Sequence, residues 1–286
     1  MQNLMEINLS LKNSGIKFFI SSILLFLSLQ NSFAQENDLK FLKSVKINST
    51  VKKVSIDTYF NFYTADANGN ISKFDSEGNF LLTFSPQKKS NVTLLEAWRN
   101  VNIFVFYRNF QQFLFLNRFL TPSPNTDLNE ELVGFARIAA PSSDNNIWLV
   151  DETDFSLKKY NLTYHKLDIR NPLELILNPQ NYDLTFLREY QNLLFINDKN
   201  SGILIFDNMG NLKERIQVQG LDYFSFIKNN LYYIKDNKLV ILDLYTKNAR
   251  EIELPTGTNY NFALLSDQKA FLFDQESVHI FSFSLP

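Results

Sequence analysis

The chain of 286 residues contains no cysteine. That excludes thiol nucleophiles, thiolate metal sites and disulfides outright. Histidine is nearly absent as well: His165 and His279 are the two, each inside a strand-like stretch, "NLTYHKL" and "ESVHIFSF". Neither has a neighbour in sequence that marks a metal site or a catalytic base. Glycine occurs only 8 times, and no Gly-rich phosphate loop or Gly-x-Ser-x-Gly elbow is present. Charge of one sign is lacking too, with Lys and Arg totalling 28 against 30 Asp and Glu. Without a basic block, nucleic acid is not an expected partner. No segment holds a helical period over more than three turns.

A single long apolar run stands near the start. Lys12 and Lys17 precede "FFISSILLFLSL", Phe18 to Leu29, and "NSFAQ" follows with small residues at Ser32 and Ala34. This is the pattern of a signal peptide over 1–34, cleaved after Ala34. The run is about half the roughly 20 apolar residues needed to span a bilayer, so the protein is not expected to be membrane-spanning. The mature chain, 35–286, is long enough for one large domain. Export without cysteine implies neither a lipid-anchored Cys nor disulfides, which suits a bacterial periplasm as well as the outside.

What the chain has in quantity is aromatic side chains, 28 Phe and 12 Tyr, which fit the pleated, half-buried surfaces of strands. Similar strand endings recur at Phe74, Leu116, Tyr160, Phe206, Leu242 and Phe281. Their spacing of about 40 residues, with several short strands in each unit, is that of a β-propeller blade. Within "NFYTADANGNISKFDSEGNFLLTF" short apolar segments alternate with turns built on Asn, Asp and Gly. In "FDSEG", Asp75 can bond the turn backbone and Gly78 can take the positive φ that a hairpin bulge requires. Asp207 and Gly210 repeat both roles in "IFDNMG", so the two corners are read as hairpins joining a blade's third and fourth strands. The last unit ends one strand short, and "FLKSVKIN", Phe41 to Asn48, alternates like a fourth strand. The expected fold is therefore an all-β six-bladed β-propeller closed by an N-terminal strand, which removes exposed sheet edges. Five or seven blades remain open, because Trp98 to Glu131 is crowded with apolar segments.

At "ISKFDSEGNFLLTF" and "ILIFDNMGNLKERI" the units resemble NHL-type propeller repeats. "LVILDLYTKNAREIEL" is similar to a pyrroloquinoline-quinone-type repeat in which Asn248 replaces the usual turn Gly. The resemblance implies a propeller over Leu42 to Leu285 and a binding role, without settling chemistry.

Two acidic patterns invite a metal. Asp66, Asn68, Asn70, Ser72 and Glu77 fall at positions 1, 3, 5, 7 and 12 of a calcium loop, but position six is Ile71 rather than Gly and strands flank it. Asp151 to Asp154, "DETD", follows the strand "NIWLV" and reads as solvated turn residues. No catalytic residue, cofactor or metal site is assigned. Two long connections, Phe119 to Gly134 and Asp168 to Asp183, are the expected contact surfaces, with Pro122, Pro124, Leu128, Leu173, Leu175 and Leu177 as candidate partner contacts. The "LELIL" run at Leu173 to Leu177 also reads as an inserted strand packed on its own blade.

The leading expectation is a non-enzymatic periplasmic propeller that binds a protein partner of the outer-membrane assembly or secretion machinery, as a subunit, plug or accessory. Its motivation is the export signal, the closed repeat fold and the missing catalytic constellation. The architectural likeness to the propeller subunit of outer-membrane assembly machines departs at the absent lipoprotein Cys. The alternatives are an exported ligand-binding or lactonase-like hydrolytic propeller, and an outer-membrane β-barrel. A barrel needs strands of about 9–11 residues, longer than most segments between the turns.

Overall fold

The computed structural model describes residues 39–98 and 102–285; the signal segment over 1–34 lies outside them. Among the described residues, short aromatic and β-branched segments punctuated by Asx turns fold as 24 strands, arranged in six four-stranded antiparallel sheets. These are the six blades the repeat spacing predicts. Blade 1 holds β2 (Lys53–Ile56), β3 (Phe62–Ala65), β4 (Ile71–Phe74) and β5 (Phe80–Phe84). Blade 2 holds β6 (Leu94–Glu96), β7 (Ile103–Tyr107), β8 (Gln112–Leu116) and the two-residue β9 (Thr126–Asp127). Blade 3 holds β10 (Ala136–Pro141), β11 (Ile147–Asp151), β12 (Ser156–Asn161) and β13 (Lys166–Pro172). Blade 4 holds β14 (Leu184–Tyr190), β15 (Leu193–Asp198), β16 (Gly202–Phe206) and β17 (Leu212–Ile216). Blade 5 holds β18 (Ser225–Ile227), β19 (Asn230–Lys235), β20 (Lys238–Asp243) and β21 (Ala249–Glu253).

Blade 6 closes the ring. Its sheet runs β22 (Phe262–Leu265), β23 (Lys269–Phe273), β24 (Ser277–Ser282) and then β1 (Lys40–Lys46) from the N-terminal side of the chain. Ser44 on β1 is hydrogen-bonded to His279 Nδ1 at 2.7 Å, while His279 Nε2 lies 2.9 Å from Asp274. Blades 6 and 1 are then joined by aromatic packing. The Phe62 ring stacks on Phe74 at 4.9 Å and meets Phe271 and Phe273 at 5.2 and 5.5 Å. This is where the high phenylalanine content goes: flat rings fill the wedge between twisted sheets.

One corner geometry explains the repeated Asp–Gly–Asn punctuation. In the hairpin after β4, Asp75 Oδ1 accepts from the backbone N–H groups of Glu77 and Asn79, and Oδ2 accepts from the Asn79 side chain, all at 2.8 Å. Gly78 supplies φ +78°, which a side chain resists. Asp207 with Asn211 and Asp66 with Asn70 build the same corner. Asp57 with Asn61 does so with Phe60 at the positive-φ position, and Asn117 with Thr121 does so with Leu120. The expected hairpins between third and fourth strands are therefore found at Asp75 and Asp207. In the corner after β20, however, the left-handed residue is Lys247 at φ +60°, not Asn248. His165 likewise sits in the turn between β12 and β13 at φ +49° rather than within a strand.

Candidate functional site

The first strand of each blade faces the axis, so the channel is lined by β2, β6, β10, β14, β18 and β22. Arg188 on β14 reaches across it. Its Nε donates to Glu96 Oε2 on β6 at 2.5 Å, and its Nη1 donates to Ser225 Oγ on β18 at 2.7 Å. Blades 2 and 4 are separated by blade 3, so this pair ties two blades that are not adjacent in the ring. Both side chains are almost fully buried. Burial works against the Arg188 charge, but Glu96, by charge and hydrogen bond, together with Tyr223 and Tyr232 holds the guanidinium above its ordinary pKa.

Further bonds between blades surround this pair. Ser55 Oγ accepts from Ala97 N–H at 2.9 Å, joining blade 1 to the residue that follows β6 in blade 2. Tyr232 Oη accepts from Leu265 N–H at 3.0 Å, joining blades 5 and 6. Glu189, next to Arg188, turns the other way and accepts from Ser142 Oγ at 2.6 Å and Trp148 Nε1 at 2.7 Å, latching blade 4 to blade 3. Among the described residues Arg188 Nη2 has no hydrogen-bond partner, and the buried Tyr223 hydroxyl stands beside Arg188 and Ser225. Aromatic rings stand over them: Arg188 lies 5.0 Å from the Phe186 ring, and Tyr223 packs edge-on against Phe186 and Phe262 at 4.8 and 5.7 Å. At the mouth, burial lowers the pKa of half-buried Lys53, Asp222 draws it back up, and Lys199 pushes it down further. Asp222 is itself ion-paired with Lys199.

The acidic patterns of the sequence are absorbed by the fold. Asp151 accepts from the N–H groups of Gly134, Phe135 and Thr153 and from Lys158 Nζ, the last at 2.6 Å. Lys158 also binds Asp154 at 2.9 Å. Although burial favours the neutral acid, Lys158 and the backbone donors hold the Asp151 carboxyl below the usual range. Asp66 is consumed by its own turn. Among the described residues no group of three or more metal-ligating side chains is gathered, and no helix is long and apolar enough to cross a membrane.

The candidate contact residues separate by burial. Leu128, Leu173 and Leu177 are buried in the main core, whereas Leu175 is fully exposed between the latter two. Pro122 and Pro124 are exposed in the loop after β8, with Pro122 bridging back to Leu116. The "LELIL" run is no inserted strand. The N–H groups of Ile176 and Leu177 both return to Leu173 O, at 2.9 and 2.8 Å, forming a single helical turn. The Glu96–Arg188 pair escaped the sequence reading because nothing in one chain marks two residues as facing each other across a ring.

No protein-family model matches the chain, and no curated protein matches it in sequence. Solved structures share its fold. A catalytically inactive histidine-to-alanine variant of virginiamycin B lyase from Staphylococcus aureus, crystallised with quinupristin, superposes with a TM-score of 0.55. The two are 11% identical over 82% of this chain and 80% of that one. The extracellular domain of BT4673 from B. thetaiotaomicron superposes with a TM-score of 0.54 at 12% identity, over 82% of this chain and 33% of that one. BamB from Moraxella catarrhalis matches 86% of this chain and 100% of its own, at 9% identity and a TM-score of 0.49, a likeness too slight to carry an argument. At these identities the likeness establishes the propeller alone, since the fold hosts lyases and receptor domains alike.

Proposed function

We propose that this protein is a non-enzymatic, periplasmic interaction module. In this reading it is a subunit, plug or accessory component of an outer-membrane assembly or protein-secretion complex. The observation that carries the reading is the axial ion pair. Propellers bind small molecules where polar groups converge on the axis, and here Glu96, Arg188 and Ser225 are spent on one another. That leaves the outer surface as the place for recognition, and the apolar export signal of the sequence supports the compartment. The test is affinity purification of a C-terminally tagged copy from mildly solubilised cell envelope, with mass spectrometry of what accompanies it. A specific outer-membrane or secretion component at near-equal amount is expected; recovery of the protein alone overturns the reading.

A second reading rests on a different observation. Arg188 Nη2 has no hydrogen-bond partner among the described residues, and Lys53 stands within the field of Asp222 and Lys199, an arrangement that suits an exported ligand-binding or lactonase-like propeller. Metal analysis and thermal shifts with Ca, Mg and Zn decide between them, because a stoichiometric metal belongs only to the hydrolytic alternative.

A further inference from the structure

A propeller presents one free sheet edge per blade, and each edge is a template for another strand unless it is blunted. Three of the six outer strands are blunted by charges of both signs. β13 carries Lys166, Asp168 and Arg170, β17 carries Lys213, Glu214 and Arg215, and β21 carries Arg250, Glu251 and Glu253. β9 is only two residues long. β5 is different. Its sequence, FLLTF, contains no charge at all, and Phe80, Leu81 and Leu82 are 59%, 44% and 37% exposed in succession.

The neighbouring outer strand, β1, is unusual in a complementary way. It exposes Phe41 and Leu42, and its charges are Lys40, Lys43 and Lys46 with no acid among them. Within a chain of net charge −2, this is a local basic row. The two strands flank one groove of about 370 Å³ with a mixed lining: Val45, Ile47, Phe74 and Phe80 are its apolar walls, while Lys46, Asp66, Asn70, Ser72 and Thr83 add polar ones. Close approach fixes the seam: a side chain at Gly78 would meet Val45 at 2.9 Å. Lys269 of blade 6 pairs with Glu77 of blade 1 across it.

We propose that the seam between β1 and β5 is a docking site for an extended, acidic and apolar segment of a partner protein. The segment adds to the free edge of β5 as a fifth strand of blade 1. Main-chain hydrogen bonds to the edge supply register, and alternate side chains divide between the apolar walls of the groove, Val45, Phe74 and Phe80, and the lysine row. A second copy of this chain is a poorer occupant. Pairing β5 with its own copy brings two lysine rows together, and like charges repel. The proposal rests on the interaction-module reading and specifies its surface.

The probe is a fluorescent eight-residue peptide, Glu-Val-Glu-Phe-Glu-Val-Glu-Phe, with a control in which Lys replaces every Glu. Fluorescence anisotropy is expected to show binding of the acidic peptide only. Affinity should drop at least tenfold in Leu81→Lys and in the triple variant Lys40→Glu, Lys43→Glu, Lys46→Glu. All these positions are exposed, and unchanged circular dichroism confirms folding. Amide exchange should slow at residues 80–84 on binding. Equal binding of the lysine peptide, or binding indifferent to both variants, overturns the proposal. So does a dimer that Leu81→Lys dissociates while the peptide fails to bind, which assigns the edge to a second copy. Capture from the envelope separates the two levels. A partner retained equally by Leu81→Lys sinks the seam and leaves the interaction module standing, whereas a tagged wild-type protein that captures nothing sinks the module itself.

Discussion

Replacing Glu96 by Gln should be among the most damaging single-atom-scale changes in this protein. The substitution keeps shape and an oxygen acceptor but removes the charge facing Arg188, which is almost fully buried. A guanidinium cannot shed its proton to escape, so the charge stays buried and uncompensated. Breaking a buried pair from one side costs about 3–5 kcal/mol. For a domain of this size that corresponds to a fall in melting temperature of about 6–20 °C. Arg188→Met strands the Glu96 carboxylate in turn and should also cost about 3–5 kcal/mol. The double variant Glu96→Leu, Arg188→Met removes both charges and should recover to within about 1 kcal/mol of wild type or exceed it. Urea denaturation at pH 5, 6 and 7 reads all four proteins. A Glu96→Gln variant within about 0.5 kcal/mol of wild type would refute the argument that the pair closes a desolvated channel.

Three further outcomes follow from other parts of the molecule. Gly202 has φ +101° and its Cβ would lie 2.2 Å from Ile216 O, whereas Gly220 has φ +80° with open space around it. Gly202→Ala should therefore cost about 2–5 kcal/mol and Gly220→Ala about 1–2 kcal/mol by chemical denaturation, and equal losses would contradict the close approach. Phe62→Ala removes the ring shared by blades 6 and 1 and should cost about 3–5 kcal/mol, with faster amide exchange in β1; unchanged exchange there would show that the closure does not depend on this packing. In acid, Asp151, Asp154 and Glu189 are all held below their ordinary pKa despite burial, by Lys158, by serine and tryptophan donors and by backbone N–H groups. Their stabilisation is present above the unfolded values of about 4 and is lost as pH falls through the folded ones. Melting temperature should hold down to about pH 5 and drop steeply below about pH 4, and a flat profile to pH 3 would contradict it.

The corners were the most legible part of the chain because they are local. Asp75 and Gly78 form a hairpin by bonds that reach at most four residues, and the same chemistry recurs at Asp207 and Gly210. Where the left-handed position is filled by Lys247, His165 or Leu120, sequence loses the signal, since surrounding packing rather than residue preference imposes that conformation. Loop length misled in the same way. The two long connections were singled out as surfaces, yet Leu128, Leu173 and Leu177 turn inward to complete the core, because an apolar side chain in a loop is buried whenever a neighbouring blade offers a cavity.

By itself, the sequence determined the period of about 40 residues, the strand-and-turn alternation and the closing N-terminal strand, all of which are set by nearest-neighbour chemistry and hydrophobic spacing. Only the tertiary structure decided that Glu96 and Arg188 meet across the axis, 92 positions apart. It alone decided, too, that β1 and β5 share one groove. Both follow from closing a ring: strands remote in the chain become neighbours in space, and no local preference records which side chains that closure brings face to face.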